Sequence, residues 1–147
     1  MSKVYNVLDV ARYIIERCNS HNRAISNLKL QKILYFVQAE FLVTKDEPCF
    51  NEEIQAWDFG PVVPIVYHRY KAYGAGNIPV VKSTIKKTPI SASDQSLIDG
   101  IVDECSKYSA STLVDITHRQ TPWKEAYKEG FSKKIDNASI KKFFKED

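Results

Sequence analysis

The chain has 147 residues, 44% of them apolar, which is the size of one domain with enough apolar side chains for its own core. Its 21 basic and 18 acidic side chains nearly cancel to a formal charge of +3, and no long basic arm is visible, which argues against nucleic-acid binding. Cys18, Cys49 and Cys105 are widely spaced, with no CxxC pair, so neither a disulfide framework nor a zinc finger is expected.

The N-terminus carries Asp9, Arg12, Glu16 and Arg17 among its apolar residues, unlike a signal peptide. No later stretch is long and apolar enough to span a bilayer, so the expected setting is the reduced cytoplasm. Val7, Val10, Ala11, Ile14, Ile15 and Cys18 recur at helical spacing behind Asn6, a capping residue type, and predict the first helix. A second helix is predicted from near Asn27 to about Thr44. Its apolar residues, among them Leu30, Ile33, Leu34, Phe36, Val37, Phe41 and Leu42, cover most of the circumference, which marks a surrounded, central helix. Gln31, Tyr35 and Gln38 leave one narrow polar stripe, expected to satisfy buried backbone groups or one another.

Ile54 to Phe59 alternate like a strand, with Gln55, Trp57 and Phe59 on one face. Gly60 and Pro61 are expected to stop any ladder, and Pro64 to open a helix whose Val66, Tyr67 and Tyr70 run to a stop at Gly74. Two readings of this segment stand: a compact structural corner, or a surface that presents Trp57, Phe59 and Tyr67 to a partner. The turn "GAGN" follows, then "IPVVKS", expected to pair with the first strand and confined by Pro79 to a sheet edge.

Helices are predicted again beyond this point. Ser93 is the expected cap of one carrying Leu97, Ile98, Ile101, Val102 and Cys105, and Ser109 or Ser111 starts a shorter one. Thr121 and Pro122 form a cap and first-turn pair, placing Trp123, Ala126 and Tyr127 along one side. Asn137 caps a last helix docked by Ile140, Phe143 and Phe144. The lysine clusters Lys82, Lys86 and Lys87, and Lys133, Lys134, Lys141 and Lys142, fall in expected loops and tail and read as solvated surface. The expectation is one domain over residues 1–147, a mostly α helical bundle with a small antiparallel β insert.

Catalytic patterns are scarce. His21, His68 and His118 lie in separate elements without a second ligand at metal spacing, so no metal is expected. No cysteine or serine sits in a glycine elbow. "GAGN" follows a helix and precedes a strand, the reverse of a dinucleotide or phosphate loop, and no cofactor is expected. His118, at a helix junction, is read as a tie to backbone carbonyls, with a base or contact as the alternative.

Three segments, "LKLQKILYFVQAEFL", "EPCFNEEIQAWDFGPVVPIVYHRYKAYG" and "SASTLVDITHRQTPWKEAY", in this order closely resemble the Panacea domain, the SocA-like antitoxin family also called phage-associated proteins. The resemblance covers roughly Val7 to Tyr127. Its most specific parts are Leu30, Gln31, Lys32 and Tyr35, then Ala56, Trp57, Gly60, Pro61, Val62, Pro64 and Tyr67, and late in the chain Thr117, His118, Pro122 and Trp123. It implies a mostly helical domain with a small sheet insert, encoded in bacteria, prophages or plasmids beside a toxin that it neutralises by direct contact. It also implies an alternative, an adaptor that delivers its client to a protease. Some members carry fused DNA-binding segments. The chain is expected to have no room for one before Val7 or after Asp147, so nucleic acid is not an expected partner.

The reading is therefore a non-enzymatic cytoplasmic antitoxin whose partner is a cognate toxin encoded by a neighbouring gene. Trp57, Phe59, Tyr67, His118, Arg119 and Trp123 are the candidate contacts. Leu30, Gln31, Lys32, Tyr35, Gly60, Pro61, Val62, Pro64, Thr117 and Pro122 are the motif residues expected to maintain the fold. An enzyme using His118 with Asp115 or Thr117 is the third alternative.

Overall fold

The structure is a computed structural model that describes residues 4–80, 89–128 and 133–145. Among these it is mostly α. The helices are α1 (Val7–Ser20), α2 (Asn27–Lys45), α3 (Pro64–Tyr70), α4 (Ala92–Cys105), α5 (Ala110–His118), α6 (Thr121–Lys128) and α7 (Asn137–Lys145). Strands β1 (Gln55–Trp57), β2 (Gly60–Val62) and β3 (Lys133–Lys134) form an antiparallel sheet in the order β2-β1-β3.

Helix α2 is the axis of the molecule. Its start is capped by Ser26, whose hydroxyl accepts from the Lys29 N–H, and it ends on Asp46 in the left-handed region, φ +59°. It touches α1, α3, α4, α5, α7 and β2, which is why Leu30, Ile33, Leu34, Val37 and Phe41 are all buried. Of the polar stripe, Gln31 and Gln38 satisfy buried backbone groups as expected, whereas Tyr35 bonds a distant side chain. Gln31 accepts from the Val63 N–H at 2.9 Å and donates to Asn27; Tyr35 donates to Gln120 at 2.7 Å. Gln38 accepts from the Cys49 N–H and donates to the Phe50 carbonyl. A surrounded helix has no water for these groups, and each stripe residue fastens a loop to the core.

Helix α1 is capped by Asn6 and ends at Ser20. It is held against α4 by the hydrogen bond from Tyr13 to Asp99 and the paired bonds from Arg17 to Asp103. The N-terminal segment is tied in by the Tyr5 hydroxyl, which donates to Asp94 at 2.6 Å, and Lys45 meets the same carboxylate.

Four sequence expectations are corrected. Gly60 and Pro61 do not stop the ladder: they form β2, with Ala56 opposite Pro61 and Trp57 opposite Gly60. Proline is tolerated because β2 is an edge strand, where its missing N–H is not needed for the ladder. Second, Ile78 to Val80 are not a strand: the Ile78 N–H donates to the Ile25 carbonyl, and the rest of "IPVVKS" lies outside the described residues, as do Lys82, Lys86 and Lys87. The third strand is instead β3, in which Lys134 pairs with Gln55. Finally, Ser91 and not Ser93 caps α4, and the α7 cap lies one residue early, where the Asp136 carbonyl accepts from the Ser139 and Ile140 N–H groups.

Candidate partner-binding surface

The β1–β2 connection is a two-residue turn, Asp58-Phe59. Neither turn residue has a positive φ, and the reversal is completed by Gly60 at φ +96°, a conformation that side-chain-bearing residues rarely adopt. Space imposes the same choice: a Cβ on Gly60 would lie 2.7 Å from both Lys32 Cε and Thr117 Oγ1. Beneath the turn Lys32 is fully buried, and its Nζ donates to the Pro61 carbonyl at 3.0 Å. Burial lowers its pKa to about 7, because the interior disfavours the charged form. Thr117, also buried, donates to the Val114 carbonyl.

On its other side the turn is clasped by rings from α5 and α6. His118 Nε2 meets the Asp58 carbonyl at 2.9 Å; a carbonyl only accepts, so Nε2 carries the proton. Trp123 Nε1 donates to the Trp57 carbonyl at 2.8 Å, and the Tyr127 hydroxyl donates to the Asp58 carboxylate. The three rings form one pile, with the Trp123 centroid 4.1 Å from that of His118 and 4.5 Å from that of Tyr127. Pro122, buried at the start of α6, and the Gln120–Tyr35 bond anchor the pile to the core.

What remains outward is narrow. Phe59, at the apex, is 62% exposed, and Ile65, on the first turn of α3, is 49% exposed. Trp57 and Tyr67 are half-buried and meet edge to face at 5.1 Å, with His68 beside both. Arg119 is exposed. The structure thus brings Trp57, Phe59, Tyr67, His118 and Trp123 to one region, and it separates them by what they touch. His118 and Trp123 hold the turn, and Phe59 is presented by it. Of the motif residues, Leu30, Gln31, Tyr35 and Val62 lie in the core, while Pro64 starts α3.

Asp58, Ile65, Gln120 and Tyr127 complete this region without standing out in the sequence. Tyr127 had a detectable signal, since it follows Trp123 by one helical turn. Asp58 had none, because its role depends on a helix far along the chain. Among the described residues no group of His, Cys, Asp and Glu gathers that would hold a metal ion, and no helix is long and apolar enough to cross a membrane.

A mostly helical domain with a ring-clasped hairpin is thus the class of molecule that the coordinates define. Residues 30–124 match the pattern of the family described as antitoxin SocA-like, Panacea domain, so both halves of the clasp, β1–β2 and the α5–α6 junction, fall inside the match. The chain is also 36% identical to the antitoxin SocA of Caulobacter vibrioides, over 78% of its own length and 66% of that protein's. It belongs to the SocA-like Panacea family. No solved structure matches.

Proposed function

We propose that this chain is an antitoxin that neutralises a cognate toxin by direct protein–protein contact, without catalysis, in the cytoplasm. Family membership supports the antitoxin role. The observation that carries the contact surface is Phe59, a large apolar side chain 62% exposed on a turn held by three ring hydrogen bonds. An exposed aromatic normally costs solubility. A rigid one loses little entropy on binding, and such anchors concentrate interface free energy. Ile65 and the outward edges of Trp57 and Tyr67 extend the patch, and Arg119 borders it. His118 and Trp123 belong to its support.

The reading is tested with the product of the neighbouring gene, produced with and without this chain. Growth arrest by that product alone, relief on co-production and co-purification of the two proteins are expected. A product that is harmless, or that does not co-purify with this chain, removes the basis of the proposal.

A further inference from the structure

Lys32 is anomalous. It is fully buried, its Nζ donates to the Pro61 carbonyl, and no carboxylate pairs with it among the described residues. Buried lysines ordinarily have such a partner, since an uncompensated ammonium in apolar surroundings is costly. Its position gives this cost a direction. Lys32 lies under β2, where its Cε and the Thr117 hydroxyl both crowd Gly60, at the base of the turn that presents Phe59.

We propose that Lys32 is a proton-operated latch beneath the β1–β2 hairpin: as a neutral amine it holds the hairpin closed, and as an ammonium it favours opening. The inference deepens the antitoxin reading by adding regulation of the same surface, and it rests on that reading for its biological use alone. The neutral amine donates to Pro61 and leaves no buried charge. The ammonium keeps that bond but gains a charge that the interior does not balance, and lifting the hairpin relieves it by admitting water.

Charged or titratable groups on the elements packed around the hairpin include Lys29 and Tyr35 on α2, Asp58 in the turn, Tyr67, His68, Arg69 and Tyr70 on α3, Asp115 and His118 on α5 with Arg119 after it, and Lys124, Glu125, Tyr127 and Lys128 on α6. Tyr35 is bonded to Gln120, Tyr127 to Asp58, and His118 to the Asp58 carbonyl. Burial is the cause of the lowered pKa of Lys32.

The opening equilibrium follows by linkage. With the amine at its ordinary value of 10.5 when the hairpin is open and about 7 when closed, opening grows as pH falls through this window and levels off below it. From pH 9 to pH 7 it rises about fifty-fold, and from pH 7 to pH 6 less than about two-fold.

Hydrogen exchange of the β1 and β2 amides, corrected for intrinsic rates, reads this directly on the isolated protein. The stated rise is expected in the wild type, with the hairpin amides opening ahead of those of α1, and a flat profile is expected in Lys32→Met. A flat wild-type profile, an unchanged profile in Lys32→Met, or hairpin exchange only together with α1 would each overturn the latch. Carbon-labelled Lys32 in the wild type provides the check if Lys32→Met does not fold: a midpoint near 7 supports the latch and one near 10.5 ends it. No partner is present in these measurements, so their outcome is independent of whether the neighbouring gene encodes a toxin.

Discussion

The Trp123 indole donates to the Trp57 carbonyl oxygen at 2.8 Å, across 66 positions of sequence. This bond joins α6 to the sheet at the last residue before the turn. Trp123→Phe keeps a ring in the pile but leaves that carbonyl without its donor. The expected loss is about 1–3 kcal/mol of stability, measured by urea unfolding. An unchanged midpoint would show that water replaces the indole.

Gly60→Ala meets two obstacles at once, φ +96° and a Cβ 2.7 Å from Lys32 Cε and Thr117 Oγ1. Backbone strain and overpacking each cost about 1–3 kcal/mol. The variant should therefore unfold at a lower urea concentration by several kcal/mol, or fail to accumulate as folded protein. Gly74→Ala is a control for the backbone effect alone, since it shares a positive φ of +57° with nothing within 4 Å of an added Cβ.

Phe59→Ala separates binding from folding. At 62% exposure the ring contributes little to the core, so stability should change by no more than about 0.5 kcal/mol. If Phe59 is the anchor of the interface, affinity for the neighbouring gene product should fall by about 2 kcal/mol, roughly thirty-fold. Calorimetric titration against that product, alongside a growth-rescue assay, measures both. Full affinity in the variant would move the contact elsewhere.

Acid should weaken the α1–α4 junction. Arg17 and Arg23 together hold the Asp103 carboxylate at a pKa of about 2, below its ordinary 3.8. The native state therefore binds this proton less readily than the unfolded chain. The resulting stability is complete above about pH 4 and is lost as pH falls through about 2. Asp103 is 42% exposed in its side chain, so solvent screening limits the effect to about 1 kcal/mol or less. Asp103→Asn should be less stable at pH 7 and should converge on the wild type near pH 2. Thermal unfolding across that range tests it.

Much of this architecture was legible in the chain because helices report locally. The 3.6-residue recurrence of Val7, Val10, Ala11 and Ile14 and the cap at Asn6 need no distant partner. The wide apolar circumference of α2 announced a surrounded helix, and its stripe of Gln31, Tyr35 and Gln38 announced buried polar work. The small sheet was not legible in the same way. Gly60-Pro61 reads as a break, and only the position of β2 at an edge lets a proline sit in a strand. Lys133 and Lys134 have no apolar alternation at all, and they became a strand through pairing with Gln55 and Ala56. Likewise Ser91 and Ser93 are equally able to cap α4, and the choice of Ser91 goes with its contact to the Tyr5 hydroxyl.

The candidate surface divides along the same line. The residue types of the two motif halves, around Trp57 and around Trp123, were evident from the sequence alone, and the family through the resemblance of those motifs; a mostly helical domain was evident too, because helices rest on local order and periodicity. Which rings support and which are presented was settled only by the tertiary fold. His118, Trp123 and Tyr127 spend their donors on a turn some sixty to seventy residues away, Lys32 lies buried beneath it, and Phe59 is left in solvent. Such roles depend on pairings between distant segments, which no local pattern encodes.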